Sequence, residues 1–131
     1  TNLLLSENEL SGLPPGLENL QQLEILTLQE NRLTAFPKGI TAISTLEELY
    51  LHENQISEIP SDIALLSKLK TLDLTDNQIN EVPGNLAKCT ELTELKLAEN
   101  PISSIPQPLF TLRKLEAFTN VTSQVVIYVI Y

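Results

Sequence analysis

Residues 46–60 read Leu46-Glu47-Glu48-Leu49-Tyr50-Leu51-His52-Glu53-Asn54-Gln55-Ile56-Ser57-Glu58-Ile59-Pro60, and this stretch decides the fold. Leu49 and Leu51 flank Tyr50, a period-two alternation that predicts a short strand with one buried face. Moving 23 residues in either direction returns the same residue types. Asparagines recur at Asn8, Asn31, Asn54, Asn77 and Asn100, and prolines at Pro14, Pro37, Pro60, Pro83 and Pro106. A fixed period of this size marks a stacked repeat, in which no unit buries its apolar face alone and neighbours complete one continuous core.

The other columns keep the same register. Leucines recur at Leu23, Leu46, Leu69, Leu92 and Leu115, then at Leu26, Leu49, Leu72 and Leu95 with Phe118 in the sixth place, then at Leu5, Leu28, Leu51, Leu74 and Leu97. Behind each asparagine come Leu10, Leu33, Ile56, Ile79 and Ile102, and just before the prolines Leu13, Phe36, Ile59, Val82 and Ile105. Past Pro37 or Pro60 the apolar residues fall three apart, as in Ile40 and Ile43 or Ile63 and Leu66. That spacing suits a short helix or 3₁₀ segment started by proline.

The pattern L-x-x-L-x-L-x-x-N-x-[LI]-x-x-[LIVF]-P resembles the leucine-rich repeat. With its 23-residue unit and its proline it is most similar to the repeats of Ras-group intracellular leucine-rich-repeat proteins and scribble-type polarity scaffolds. The resemblance covers residues 1–119. It implies an α/β solenoid of about five repeats: a right-handed superhelix with parallel strands on the concave face and short helical or 3₁₀ segments on the convex face. Two departures stand out. Asn120 occupies the place of a sixth buried leucine, so the pattern stops there, and residues 120–131 are expected to be a capping or continuation segment. Cys89 stands in the column of Leu20, Ile43, Leu66 and Leu112, which makes it a buried, inert thiol rather than a nucleophile.

The asparagine column is read as scaffolding. Where the chain leaves each strand, backbone groups lose their ladder partners. An amide side chain carries both donor and acceptor and can satisfy them between adjacent coils.

Composition narrows the function. The chain has 131 residues, 42% of them hydrophobic, enough for one domain with a continuous core. Seventeen acidic against eight basic residues give a net charge of −9, the wrong sign for nucleic acid. Without Trp, and with three Phe and three Tyr, a stacking platform for single strands is also missing. One cysteine allows no intrachain disulfide, which leans toward a reducing, cytoplasmic compartment; an extracellular location stays open. No apolar stretch reaches the roughly 18–20 residues of a membrane helix. The sequence starts at Thr1, inside a repeat, and is read as a fragment or processed piece. No residue set has the spacing for hydrolysis, phosphate binding or metal ligation. No enzymatic activity and no cofactor are therefore expected, and the oligomeric state is open.

Function is then expected on the outward positions of the strands. Three columns vary: Asn2, Ile25, Glu48, Thr71, Glu94 and Ala117; Leu4, Thr27, Tyr50, Asp73, Lys96 and Thr119; Ser6, Gln29, His52, Thr75 and Ala98. The column before the asparagines does not vary in charge: Glu7, Glu30, Glu53, Asp76 and Glu99. At a separation of about 5 Å such neighbours repel by roughly 0.8 kcal/mol in water. Eleven of the 17 acids (Glu7, Glu24, Glu30, Glu47, Glu48, Glu53, Asp73, Asp76, Glu94, Glu99 and Glu116) lie on the strand segments, against Lys70 and Lys96 among the bases. The expected binding residues are Glu30, Glu48, Tyr50, His52, Glu53, Asp73, Asp76, Glu94, Lys96 and Glu99, facing a protein with a basic surface. The bland reading of the acidic column is a soluble filler copied by duplication.

The leading expectation is a non-enzymatic protein-binding scaffold in signalling. A targeting or regulatory segment of a larger kinase, GTPase or phosphatase assembly is one alternative, and a fragment of an extracellular recognition or adhesion receptor is another. At the end of the chain, Val125-Val126-Ile127-Tyr128-Val129-Ile130-Tyr131 is β-branched, aromatic and uncharged. It is read as a terminal strand or extended segment covering the last repeat, with continuation into a further domain or partner contact, or the start of a membrane segment, as alternatives. Asn120-Val121-Thr122 is a glycosylation acceptor if the chain is secreted.

Overall fold

The computed structural model describes residues 1–120 and 125–127, with side chains described through residue 116. Each repeat contributes one short strand: β1 (Asn2–Leu4), β2 (Ile25–Thr27), β3 (Glu48–Tyr50), β4 (Thr71–Asp73), β5 (Glu94–Lys96) and β6 (Ala117–Asn120). These pair in sequence order and in parallel, each residue against the one 23 positions on, as in Leu26 with Leu49 and Leu49 with Leu72. The one-repeat register holds from end to end. A seventh strand, β7 (Val125–Ile127), lies antiparallel on β6; the rest of the stretch read as a terminal strand, residues 128–131, lies outside the described residues.

The return path of each coil is a 3₁₀ segment: Leu17–Asn19, Ile40–Ala42, Ser61–Leu65, Gly84–Lys88 and Gln107–Thr111. Proline leads directly into the last three, which supports the proline-started turn. The first two differ. There Gly16 (φ 100) and Gly39 (φ 89) intervene in the left-handed region, where a side chain is strained. A Cβ on Gly39 would also come within 3.3 Å of the Glu18 backbone nitrogen. A 23-residue coil has no room for a full α-helix on its convex side, and the tighter 3₁₀ turn fits.

Between the two layers runs one apolar core. Leu26, Leu49, Leu72 and Leu95 are fully buried, as are Leu28, Leu51, Leu74 and Leu97 on the next inward column. Cys89 is buried with them, and its Sγ–H donates to the Ile63 carbonyl at 3.2 Å. Desolvation pushes the thiol up to about 11, so it is un-ionised at neutral pH.

The asparagine ladder supplies the polar half of the core. The Asn54 Nδ2 donates to the carbonyls of Leu28, Leu51 and His52 at 3.0, 3.1 and 3.4 Å, and its Oδ1 accepts the Leu33 N–H at 3.0 Å. Asn31, Asn77 and Asn100 repeat the same set in their own coils. All four are buried, and each ties its own turn to the coil before it.

Candidate protein-binding face

Leucines at alternate positions turn inward, which leaves the residues between them on the open face of the sheet. Parallel pairing then stacks those outward residues in rows. Thr27, Tyr50, Asp73 and Lys96 are register neighbours across β2 to β5, with Ile25, Glu48, Thr71 and Glu94 in the row beside them. Glu48, Tyr50, Asp73, Glu94 and Lys96, expected as binding residues, thus come together on three adjacent strands, with His52 just past the end of β3.

Their side chains are coupled. The Tyr50 hydroxyl donates to Glu48 Oε2 at 2.8 Å. Partial burial, and then the acceptor carboxylate, push the phenol up to about 12. Lys96 Nζ meets Glu94 Oε1 at 2.9 Å, and that hydrogen bond raises the ammonium above its ordinary range. Asp73 lies between Tyr50 and Lys96 in the register and retains only 7% of its exposure. Its Oδ1 accepts the Thr75 N–H at 3.0 Å, and its Oδ2 lies 3.4 Å from His52 Nδ1. That last approach is proximity without a hydrogen bond: His52 Nδ1 is buried and unpartnered among the described residues, as are Thr27 Oγ1 and Gln29 Oε1. The centre of the face is therefore an arranged polar cluster with unused hydrogen-bonding capacity.

Glu7, Glu30, Glu53, Asp76 and Glu99 border this cluster, all exposed. The structure adds what the sequence did not show: these are the non-glycine residues with positive φ among the described positions, at 54–56°. The cause lies one residue ahead. Each buried asparagine draws the carbonyls two and three positions back onto its amide, as Asn54 does with His52 and Leu51, and the residue between must turn left-handed to allow it. For an L-residue that conformation costs about 1 kcal/mol or more, and Gly, Asn and Asp tolerate it best. Four of the five are glutamate, which hid the turn from a sequence reading.

Elsewhere the charges pair off at a spacing of one coil. Arg32 meets Glu9 at 2.9 Å, Lys70 meets Glu47 at 2.7 Å and Lys114 meets Glu91 at 2.6 Å. None of these pairs draws on the left-handed column. Among the described residues no group of three or more His, Cys, Asp or Glu is placed to hold a metal ion. None of the described helices is long and apolar enough to cross a membrane.

A family model described as leucine rich repeat matches residues 1–56 and 44–102. No curated protein matches the sequence. Among solved structures, a leucine-rich-repeat protein of Leptospira interrogans is 35% identical with a TM-score of 0.83, over 86% of this chain and 29% of that one. An internalin of Listeria monocytogenes is 29% identical with a TM-score of 0.79, over 88% of this chain and 32% of that one. The leucine-rich-repeat ectodomain of a membrane receptor kinase of Arabidopsis thaliana, solved in complex with Casparian strip integrity factor 2, is 34% identical with a TM-score of 0.80. The match covers 88% of this chain and 14% of that ectodomain. This chain thus spans less than a third of each of the three. Repeat period, asparagine ladder, parallel register and these likenesses agree, and the chain belongs to the leucine-rich-repeat family.

Proposed function

We propose that this chain is a non-enzymatic protein-interaction module whose acidic strand face receives a partner with a basic surface. One observation carries the reading: an acidic side chain occupies the strained left-handed position in five coils out of five. Asn or Gly would relax that position. A locally unfavourable choice repeated on the exposed border of a polar face is what selection for binding produces. The column steers a basic partner toward the face. The cluster of Glu48, Tyr50, His52, Asp73, Glu94 and Lys96 supplies the contact, with Tyr50 as its aromatic anchor. The terminal antiparallel strand is read as the cover of the last coil.

The test is charge reversal of Glu30, Glu53 and Asp76 to lysine, with partner affinity measured across a salt series. Loss of affinity together with a flatter salt dependence supports the reading. Unchanged binding by a folded variant refutes it.

A second reading draws on the likeness to a receptor ectodomain and to internalins. In it the chain is one stretch of a longer extracellular recognition surface, and the same face makes the contact. Glycan occupancy at Asn120 in protein recovered from a secretory host would favour this reading over a cytoplasmic scaffold or a regulatory segment of a signalling enzyme.

A further inference from the structure

A furrow runs along β4 through the middle of the polar cluster. Thr71 and Asp73, at the outward positions of that strand, are 8% and 7% exposed. The longer Glu48 and Tyr50 on β3, and Glu94 and Lys96 on β5, stand half-buried on either side in the same register. Short side chains between long ones make a floor with two walls. Each wall is tied within its own strand, the Tyr50 hydroxyl to Glu48 and the Lys96 ammonium to Glu94. Among the described residues neither wall bonds the floor or the opposite wall.

The floor holds a charge with an unused acceptor. The Asp73 side chain is 10% exposed, and its Oδ1 accepts the Thr75 N–H. Its Oδ2 receives no hydrogen bond among the described residues, and His52 Nδ1 stands off at 3.4 Å. A carboxylate withdrawn from water calls for a cation with donors. Lys96 is the one Lys or Arg in the outward columns of the strands, and it lies next to Asp73 in the register. Its ammonium is held above the ordinary range first by the hydrogen bond to Glu94 and also by attraction from Asp73. The cation of this chain is thus drawn to both carboxylates and bonded to one.

Resting on the reading of a basic partner, we propose that the furrow takes one arginine side chain of that partner onto Asp73 Oδ2, and that Lys96 is a built-in competitor that swings aside to admit it. A guanidinium suits the place better than an ammonium. Its planar fork donates to Asp73 and to the Glu94 oxygen that Lys96 gives up, where a lysine acts as a point charge. Tyr50, beside Asp73 on the other side, offers a ring face on which a guanidinium stacks. The exchange is easy, because a pair as open as Lys96 with Glu94, at 37% and 35% exposure, is weakly held. Lys96 therefore sets a threshold: a partner must bring a cation that outbids it.

The probe is the pentapeptide acetyl-Gly-Gly-Arg-Gly-Gly-amide, titrated at fixed pH and low salt into the full chain. The ring resonances of His52, the single histidine, report occupation of Asp73. The proposal expects a saturable shift that Asp73→Asn abolishes, the amide oxygen still capping the Thr75 N–H. It expects Lys96→Met to tighten binding by at least about threefold and a lysine peptide to bind more weakly than the arginine one. Lys38→Met removes the same charge from an exposed site ahead of the second 3₁₀ segment and should change nothing. Unchanged or weaker binding by Lys96→Met overturns the proposal. So does equal tightening by Lys38→Met, or the absence of a saturable shift in the Lys96→Met chain. If reversal of Glu30, Glu53 and Asp76 weakens a basic partner while Lys96→Met and Asp73→Asn do nothing, the acidic column stands and this inference falls. A shift that needs Asp73 but ignores that reversal removes the column and keeps the furrow.

Discussion

Asn54 Nδ2 donates to the carbonyl of Leu28 at 3.0 Å, across 26 residues of sequence and from one coil to the one before it. With the Leu33 N–H on its Oδ1 and the Leu51 carbonyl on its Nδ2, one buried side chain closes three backbone groups. Asn54→Ala leaves the Leu33 N–H unpaired in a water-poor core, while the Leu28 and Leu51 carbonyls keep the amides of Asn31 and Asn77, and is expected to destabilise the fold by about 1–3 kcal/mol in chemical denaturation. Asn8→Ala, at an exposed end with two bonds, should change it far less.

Glu53 has φ 55°. Glu53→Asn or Glu53→Gly relieves the left-handed conformation and should raise stability by about 0.5–1 kcal/mol. Glu53→Val, β-branched at the same position, should lower it. If the column binds a basic partner, the stabilised variants also lose affinity, and a thermal melt beside a binding titration reads both effects.

The glycine of the second coil offers the converse test. Gly39→Ala places a Cβ at φ 89° against the Glu18 backbone nitrogen and is expected to cost about 1–2 kcal/mol. The equivalent position two coils on carries Asn85, within a 3₁₀ segment started directly by Pro83, and Asn85→Ala should be nearly neutral. Urea midpoints of the two variants make the comparison.

How much of this was legible beforehand follows from what each residue type reveals. Leu49, Leu51, Asn54 and Pro60 announce strand, core and turn because each has a period and a physical requirement, and the fold followed from them. The left-handed turn at Glu53 did not, because its cause is the side chain of the next residue and glutamate is no marker of that conformation. Likewise Tyr50, His52 and Asp73 were visible as neighbours on a face. That Tyr50 bonds Glu48, and that His52 lies beside Asp73 without bonding it, depends on side-chain rotamers that no spacing encodes.

Tyr50 is pushed up to about 12 by burial and by Glu48, so the folded state keeps its phenol protonated where an unfolded chain has lost the proton. A raised folded value means stability that is intact below pH ~10 and declines as pH climbs toward ~12. Absorbance titration should show a late component, and Tyr50→Phe should remove it and flatten that part of the stability profile.

Cys89 follows the same sign over a lower window, its thiol held up to about 11 against an ordinary value near 9. Thiol reagents should modify the native protein only at the rate of local opening, with no acceleration between pH 7 and about 9. Stability should fall from about pH 9 to 11, less steeply in Cys89→Ala.

Every tie between coils spans a fixed offset: 21 or 26 residues for the asparagines, 23 for Arg32 with Glu9 and for Lys70 with Glu47. A table of bonds written only in offsets does not change when a whole unit is copied or excised. Loss of 23 consecutive residues within the stack hands each severed asparagine bond an equivalent backbone partner, while loss of 22 misaligns all that cross the cut. Such a gene can vary in length in whole units without inventing a new contact, and its reading surface grows or shrinks in equal steps.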